Sequence, residues 1–329
     1  MKTWLLEYLG FEVENLFIGK EFNGEIYNGY MITNGEKYYI HKGILTFFPR
    51  IFYRRYRKII TAYRMIPPNF WAANKSDWLR YLRYFHKGLI WYGLKNIPKR
   101  DNISILSIGC GSGWEIWVII NFLSGENIMS KIIGCDIALP PLLKAKGYSR
   151  KRRLENVDFV CCVSEALPFG SRKFDLVTAI FGPLDHTLNY PRAFREISRV
   201  LRKDGIFVGT TLNRFALDWI IKVIRNPKLF LKTIKYAGKT HARIRIPIQN
   251  RYIRIPTHFY NIIEIRKLCM NVRLKILKLL GVFSVLPLDF KKEKFNSLQK
   301  VLYKIDKIVQ EIPPFSYIGR YIGFVARKY

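Results

Sequence analysis

The stretch ILSIGCGSGWEI, from Ile105 to Ile116, places three glycines at every second position between two apolar runs. The apolar residues predict a buried strand that ends at the glycines and a helix that begins near Trp114. Glycine has no Cβ, so the backbone can turn sharply there and approach a ligand closely. The helix would direct its unpaired N–H groups and the positive end of its dipole into the turn. The stretch therefore predicts the first, anion-binding turn of a nucleotide-binding α/β sheet.

The residues around this stretch, 102–211, alternate between strand-like and helix-like segments. Five apolar runs, ISILSI, KIIGCDI, VDFVCCV, KFDLVTAIF and GIFVGTTL, are separated by segments with helical spacing. Continuous apolar strands between helices are typical of a parallel sheet that is covered on both faces. We therefore predict an α/β fold with a Rossmann-like, doubly wound sheet. It should be mostly parallel, with YIGFVARKY as an antiparallel last strand.

The flanking segments differ in composition and indicate three regions. Residues 1–49 are rich in Gly, Tyr and Asn, and their short β-favouring runs predict a small β-rich module. Residues 50–100 are basic and aromatic and predict a helical linker or cap. Residues 101–329 are expected to form the main domain, with a basic, amphipathic, helical insertion at 214–256.

Charge and cysteine usage limit the kinds of partner and compartment. The chain has 56 Lys+Arg against 24 Asp+Glu, a net charge of +32, which favours a phosphate-rich partner such as nucleic acid or an anionic membrane surface. A chain that is basic throughout need not bind either. No uncharged apolar run approaches the roughly 20 residues of a membrane span, and Glu7 interrupts the N-terminus too early for a signal peptide. Five cysteines without a CxxC pattern indicate buried thiols in a reducing compartment, so we expect a cytoplasmic protein, with the membrane surface as the alternative.

Residues 102–211 resemble the class I S-adenosylmethionine-dependent methyltransferases, especially the branch of quinone-biosynthesis and related small-molecule enzymes. ILSIGCGSG matches the first motif of that family, and Asp136 ends the next strand, where the family has an acidic residue. SEALPFGSRKFDLVTAIF and PRAFREISRVLRKDGIFV match two further segments in the same order. The dinucleotide pattern of oxidoreductases, GxGxxG, fits less well because Trp114 takes the place of its third glycine.

The resemblance implies a role for each matched residue. The glycine turn would hold the methionyl carboxylate of S-adenosylmethionine, and Asp136 would accept hydrogen bonds from the ribose, although it could instead cap a helix in DIALPPLL. Two positions depart from the family: Ser107 replaces an acidic residue that fixes the methionyl ammonium, and Val163 replaces an aspartate that accepts the adenine amino group. The expected cofactor-binding residues are Ser107, Gly109, Cys110, Gly111, Gly113, Asp136, Ile137, Ser164, Glu165 and Phe181.

The segment FGPLDHTLNY, which faces the cofactor in the family, contains the candidate catalytic residues Asp185 and His186. A base there would take a proton from a hydroxyl or amine acceptor, and the alternative for His186 is a packing role. We expect a methyltransferase that acts on a small-molecule or lipid-like acceptor. An RNA methyltransferase and a non-catalytic binding or scaffold protein with the same cofactor fold are the alternatives.

The segments on either side of the central region do not identify which partner the protein binds. Residues 1–49 also resemble a zinc-ribbon-like module found ahead of some of these methyltransferases, but they contain no cysteine, so no metal is expected. The basic insertion, residues 214–256, could form an ordinary solvated cap over the site, lie on an anionic membrane surface or bind RNA.

Overall fold

The structure, a computed structural model, describes residues 1–65, 75–98, 102–224, 242–248, 251–286 and 293–329. Its strands are β1 (Asn15–Phe22), β2 (Glu25–Thr33), β3 (Glu36–His41), β4 (Ile44–Phe47), β5 (Asn102–Ile108), β6 (Met129–Asp136), β7 (Val157–Cys162), β8 (Phe174–Ala179), β9 (Leu201–Leu212), β10 (Ala242–Ile248), β11 (Arg251–Thr257), β12 (Leu274–Val282) and β13 (Tyr321–Lys328). Its helices are α1 (Arg50–Met65), α2 (Asp77–Lys95), α3 (Trp114–Gly125), α4 (Leu139–Lys151), α5 (Tyr190–Val200), α6 (Leu217–Ile224), α7 (Ile262–Asn271), α8 (Ser297–Val309) and α9 (Phe315–Ile318), preceded by a 3₁₀ helix at Thr3–Tyr8.

A single large sheet runs through the molecule in the order β1-β2-β3-β4-β7-β6-β5-β8-β9-β13-β12. The strands from β4 to β9 in this order are parallel, and β13 pairs with β9 in the antiparallel direction. Helices α2, α3 and α4 pack on one face, and α5, α7 and the 3₁₀ helix pack on the other. The predicted doubly wound, mostly parallel sheet with an antiparallel last strand is confirmed.

The predicted N-terminal β strands are present, and they extend the central sheet. Strands β1 to β4 form an antiparallel meander, and β4 then pairs with β7 in parallel, with Leu45 opposite Val160. Because the strands of residues 1–49 share backbone hydrogen bonds with the central strands, their position relative to the sheet is fixed by register. Helix α1 begins three residues after β4 ends and therefore takes its position from that pairing.

A buried ion network also joins the N-terminal strands to the central domain. Lys146 of α4 is only 1% exposed, and its Nζ lies 2.7 Å from Asp158 Oδ1 in β7 and 2.8 Å from Glu25 Oε2 in β2. Arg150, one turn further along α4, lies 3.0 Å from the same Glu25 oxygen. A buried charge is tolerated only when it is paired in this way, so the network specifies how the two parts fit.

One sequence expectation is wrong in part. The insertion at 214–256 was expected to be helical, and α6 is, but β10 and β11 form a two-stranded antiparallel ribbon. Ile and Arg alternate along ARIRIPI, a period of two residues, which fits a strand and not a helix. The rest of the expected helical insertion, 225–241 and 249–250, lies outside the described residues.

We expect Lys146→Met to lower the free energy of unfolding by about 3–5 kcal/mol, because it leaves the buried Asp158 carboxylate without its cation and removes one of the cations at Glu25. Urea denaturation followed by circular dichroism measures the change. The control is Lys131→Met, which removes a pair with the exposed Glu7 and should cost less than about 1 kcal/mol. Equal losses for the two variants would contradict a structural role for the network.

Candidate cofactor and acceptor site

The glycine turn after β5 has a left-handed backbone at all three glycines, with φ of +69° at Gly109, +53° at Gly111 and +89° at Gly113. A Cβ at Gly109 would lie 2.5 Å from Pro183, and one at Gly113 would lie 2.8 Å from the Trp117 ring. At Gly111 no atom lies within 4 Å of that position. Two glycines are therefore required for close packing, and the middle one leaves open space beside the first turn of α3, where a ligand can approach the backbone.

Asp136, at the end of β6, accepts two backbone hydrogen bonds: Oδ2 from the Gly111 amide at 2.9 Å and Oδ1 from the Ala138 amide at 2.8 Å. It therefore ties the glycine turn to β6 and also caps the residues that lead into α4. Each carboxylate oxygen has a second lone pair, so both can still accept a hydrogen bond from a ligand. Burial raises the pKa of Asp136 to about 6, against the effect of the two amides.

A second carboxylate, Glu115, lies behind the turn, and sequence reasoning missed it. It belongs to the first turn of α3, is buried, and accepts hydrogen bonds from Ser107 and, at 2.8 Å, from Thr178 Oγ1. A carboxyl group thus lies beside the position where Ser107 replaces the family's acidic residue. The only signal was an acid in the first turn of a helix, which ordinary dipole stabilisation also explains. Burial raises the pKa of Glu115 to about 7.

A cavity opens at the carboxyl ends of β5 to β8, and helix α1 covers it. The predicted cofactor residues that line this cavity are Gly109, Asp136, Ile137, Ser164, Glu165 and Phe181. The others, Ser107, Cys110, Gly111 and Gly113, belong to the strand end and the turn. From α1 come Tyr56, Ile59 and Tyr63, and within the described residues the lining contains no Lys or Arg.

Hydrogen bonds from Tyr56 hold α1 in its position over the cavity. Its hydroxyl donates to Glu165 Oε1 and accepts from the Leu188 amide at 2.8 Å, and the Asn189 amide also donates to that Glu165 oxygen at 2.9 Å. Glu165 Oε2 is buried and has no hydrogen-bond partner among the described residues. Because Glu165 lines the cavity next to Val163, it offers one acceptor oxygen near the position where the family's aspartate is missing.

The two predicted catalytic residues have different surroundings. His186 lines the cavity, its Nδ1 lies 3.2 Å from the Pro256 carbonyl oxygen, and burial lowers its pKa to about 4, so the ring is neutral at pH 7. With Nδ1–H donated to that carbonyl, Nε2 is left as an acceptor. Asp185 is not part of the lining. Its Oδ1 accepts the Leu212 amide at 2.9 Å, and burial raises its pKa well above the usual value, so it anchors the loop to β9.

Within the described part of the chain, no cluster of His, Cys, Asp and Glu suits a metal ion. In the same residues no helix has both the length and the apolar composition of a membrane span.

Comparison with known proteins finds a match between residues 106–209 and the family described as a methyltransferase domain. An uncharacterized protein of Methanocaldococcus jannaschii is 29% identical over 250 residues, which are 76% of this chain and 83% of that protein. The ubiquinone/menaquinone biosynthesis C-methyltransferase of Campylobacter jejuni is 26% identical over 55% of this chain and 74% of its own length. The demethylmenaquinone methyltransferase of Lactococcus lactis is 32% identical over 34% of this chain and 43% of that protein. The family match spans the glycine turn and the strand ends that surround the cavity.

We expect Tyr56→Phe to lower the free energy of unfolding by about 1–3 kcal/mol, because the buried Glu165 carboxylate and Leu188 amide lose a partner. The control is Tyr53→Phe in the same helix, where the side chain is 48% exposed and the change should stay within about 0.5 kcal/mol. Urea denaturation of both variants measures the difference. If Tyr56→Phe were as stable as the control, the contact with Glu165 would not hold α1 in place.

Proposed function

We propose that this chain acts as a class I S-adenosylmethionine-dependent methyltransferase whose acceptor is a small, neutral, largely apolar molecule of the quinone or lipid type. The observation that carries the proposal is the charge of the cavity. A chain with 56 Lys and Arg places none of them in the lining that the structure describes, where the ionisable groups are acids, tyrosines, cysteines and a neutral histidine.

A phosphate-rich acceptor would be poorly matched to such a cavity. Proteins that bind nucleic acid neutralise its phosphates with Lys and Arg, and those residues would be needed near the reacting base. The cavity instead presents Tyr56, Tyr63 and Phe181, whose flat apolar faces suit a ring or an unsaturated chain. Two relatives in the comparison are named for ubiquinone, menaquinone or demethylmenaquinone, which supports the same acceptor class.

The residues at the turn fit the cofactor in shape and in charge. S-adenosylmethionine supplies an electrophilic methyl group on a positively charged sulfur. We assign its methionyl carboxylate to the open backbone at Gly111 and its ribose to Asp136. Its methionyl ammonium would lie near Ser107 and Glu115, which together stand in for the single acid of the family pattern.

The adenine would lie between the ends of β6 and β7. Ile137 and Val163 line this part of the cavity and offer apolar contact to the ring. The unpartnered Glu165 Oε2 is the oxygen that we assign to the adenine amino group, with the Ser164 hydroxyl beside it.

The protein's part in the reaction is alignment and exclusion of water. Helix α1 covers the cavity, so an acceptor held under it has little freedom and little solvent around it. The neutral His186 can accept a hydrogen bond from an acceptor hydroxyl through Nε2 and so orient it. With a pKa of about 4 it is a weak base, so its role is chiefly to position the acceptor.

We expect S-adenosylhomocysteine to raise the melting temperature, since a ligand at about 100 times its Kd stabilises the native state by about 2.7 kcal/mol. NAD should have no effect. Asp136→Asn should abolish most of the shift, and Glu126→Gln, at an exposed position of the same charge, should leave it unchanged. Thermal melts of the three proteins measure this, and an unchanged shift in Asp136→Asn or a preference for NAD would contradict the site.

The same assignment predicts the pH dependence of binding. Because the pKa of Asp136 is raised to about 6, the residue is a carboxylate at pH 8 and loses its charge as the pH falls through that value. The affinity for S-adenosylhomocysteine, measured by calorimetry between pH about 8 and about 5, should therefore weaken towards acid. Glu115, with a pKa of about 7, would add to the loss in the same direction. Asp136→Asn should flatten part of the curve, and a flat curve in the unaltered protein would contradict the role of both acids.

We expect methyl groups from labelled S-adenosylmethionine to enter the organic-soluble fraction when the protein is incubated with a quinone and lipid extract, and not RNA incubated in parallel. Tyr63→Ala, in the cavity wall, should reduce transfer, while Tyr53→Ala on the exposed side of α1 should not. Scintillation counting of the separated fractions decides between the outcomes. Label in RNA would favour the RNA alternative, and binding of the cofactor without transfer to any fraction would favour the non-catalytic one.

A further inference from the structure

Helix α8 carries an apolar stripe that the fold does not cover. The residues of this stripe are between 41% and 70% exposed, and they are Leu298, Val301, Ile305, Ile308 and, just beyond the helix, Ile312. They are spaced alternately three and four positions apart, which places them on one side of a helix. Large aliphatic side chains are common singly on a surface, but a continuous row of five marks an interaction surface.

The opposite side of α8 is firmly attached, so the stripe is a fixed feature of the surface. Asp306 is fully buried and accepts hydrogen bonds from the Tyr81 hydroxyl at 2.8 Å and from the amides of Phe283 and Ser284 at 2.8 and 2.7 Å. A capping box between Asn296 and Gln299 closes the first turn. These contacts orient the helix and leave the stripe directed outwards.

A row of lysines borders the stripe. Lys300, Lys304 and Lys307 follow one another at helical spacing, and at 100° per residue their row is centred roughly 110° around the helix from the stripe. Asp306, the acid within α8, lies on the buried side; Glu311, just beyond the helix, is paired with Lys278 at 2.8 Å, and Lys307 Nζ lies 4.3 Å from the centre of the Tyr84 ring. The helix thus has an anchored face, an exposed apolar face and a cationic face.

Exposed apolar side chains also occur on α6 and two residues before it. Phe215, Ile221 and Ile224 are 54%, 39% and 74% exposed. The segment before α6 is joined to the residues after α8 through the Asn213 amide, which donates to the Tyr317 carbonyl at 2.8 Å.

We propose that the α8 surface, formed by the five apolar residues of the stripe and the three lysines, docks on an anionic lipid bilayer. An apolar face with a cationic border is the arrangement of helices that lie in a membrane interface, where the aliphatic side chains enter the acyl region and the lysines meet anionic headgroups. The spacing would also suit a helix–helix seam with a second copy. Two copies that each carry +32 would repel one another, however, so charge complementarity favours the lipid.

The proposal goes beyond the methyl transfer described above and does not depend on the acceptor. The docking surface lies outside the cavity, and none of its residues belongs to the cavity lining. Loss of docking and loss of methyl transfer are therefore separable measurements.

The test is flotation of the full chain with vesicles of phosphatidylcholine alone and of phosphatidylcholine with phosphatidylglycerol, at low and high salt. We expect binding to the anionic vesicles, with part of it persisting at high salt because apolar residues insert. Ile305→Ser combined with Ile308→Ser should weaken binding at least about tenfold. Lys300→Gln and Lys304→Gln should each weaken it about fivefold at low salt.

The matched control is Ile263→Ser combined with Met270→Ser on α7, where the two side chains are 67% and 64% exposed but lie on another part of the surface. Circular dichroism and the unfolding midpoint establish that each variant is folded, and the control should float like the unaltered protein. Absence of flotation with anionic vesicles, or equal flotation of the α8 variant and the control, would overturn the proposal. A dimer in sedimentation that is lost only in the α8 variant would overturn it in favour of self-association.

Discussion

The hydrogen bond of 2.9 Å from the Gly111 amide to the Asp136 carboxylate connects the two strand ends on which the site depends. Parallel strands end at the same edge of a sheet, so β5 and β6 bring the turn and the carboxylate together there. The amide that donates this bond belongs to a residue with a positive φ of +53°, a conformation that favours glycine. The same carboxylate then accepts the Ala138 amide and sets the direction in which the chain enters α4. This one contact therefore sets the relative position of the β5 and β6 ends, which line the cavity.

Helix α1, which covers the cavity, is positioned by the N-terminal region. Strand β4 is fixed by its parallel pairing with β7, and the buried Lys146 holds β2 against α4 and β7. Helix α1 follows directly from β4, so the same pairing delivers Tyr56 to Glu165. Residues that look like a separate module in the sequence are in this way part of the enclosure of the site. A buried ion pair of this kind adds little net stability compared with apolar packing, but breaking it is costly, which makes it a good determinant of relative position.

Charge is segregated within the molecule. Three acids lie around the cofactor site, the buried Glu115 and Glu165 and the partly exposed Asp136, and they suit a cofactor that carries a sulfonium and an ammonium. Among the residues that the structure describes, no Lys or Arg lines this cavity, and one group of lysines borders the stripe on α8. An acidic, low-dielectric cavity inside a basic chain suits a cationic cofactor.

The sequence by itself determined the central strands and helices, the glycine turn and the position of Asp136, because each depends on the spacing of residues within about 30 positions of one another. It did not reveal the contact between Tyr56 and Glu165, which are 109 positions apart, the joining of the N-terminal strands to β7, or the exposure of the stripe on α8. The two-residue period of β10 is visible in the sequence, although a helix is expected for that segment. In the sequence, Glu115 resembles an ordinary first-turn acid. Only the structure shows that Ser107 and Thr178 donate hydrogen bonds to its carboxylate. Local periodicity decides which elements form, whereas which of their faces are buried or paired depends on every other element packed around them, and only the tertiary structure contains that information.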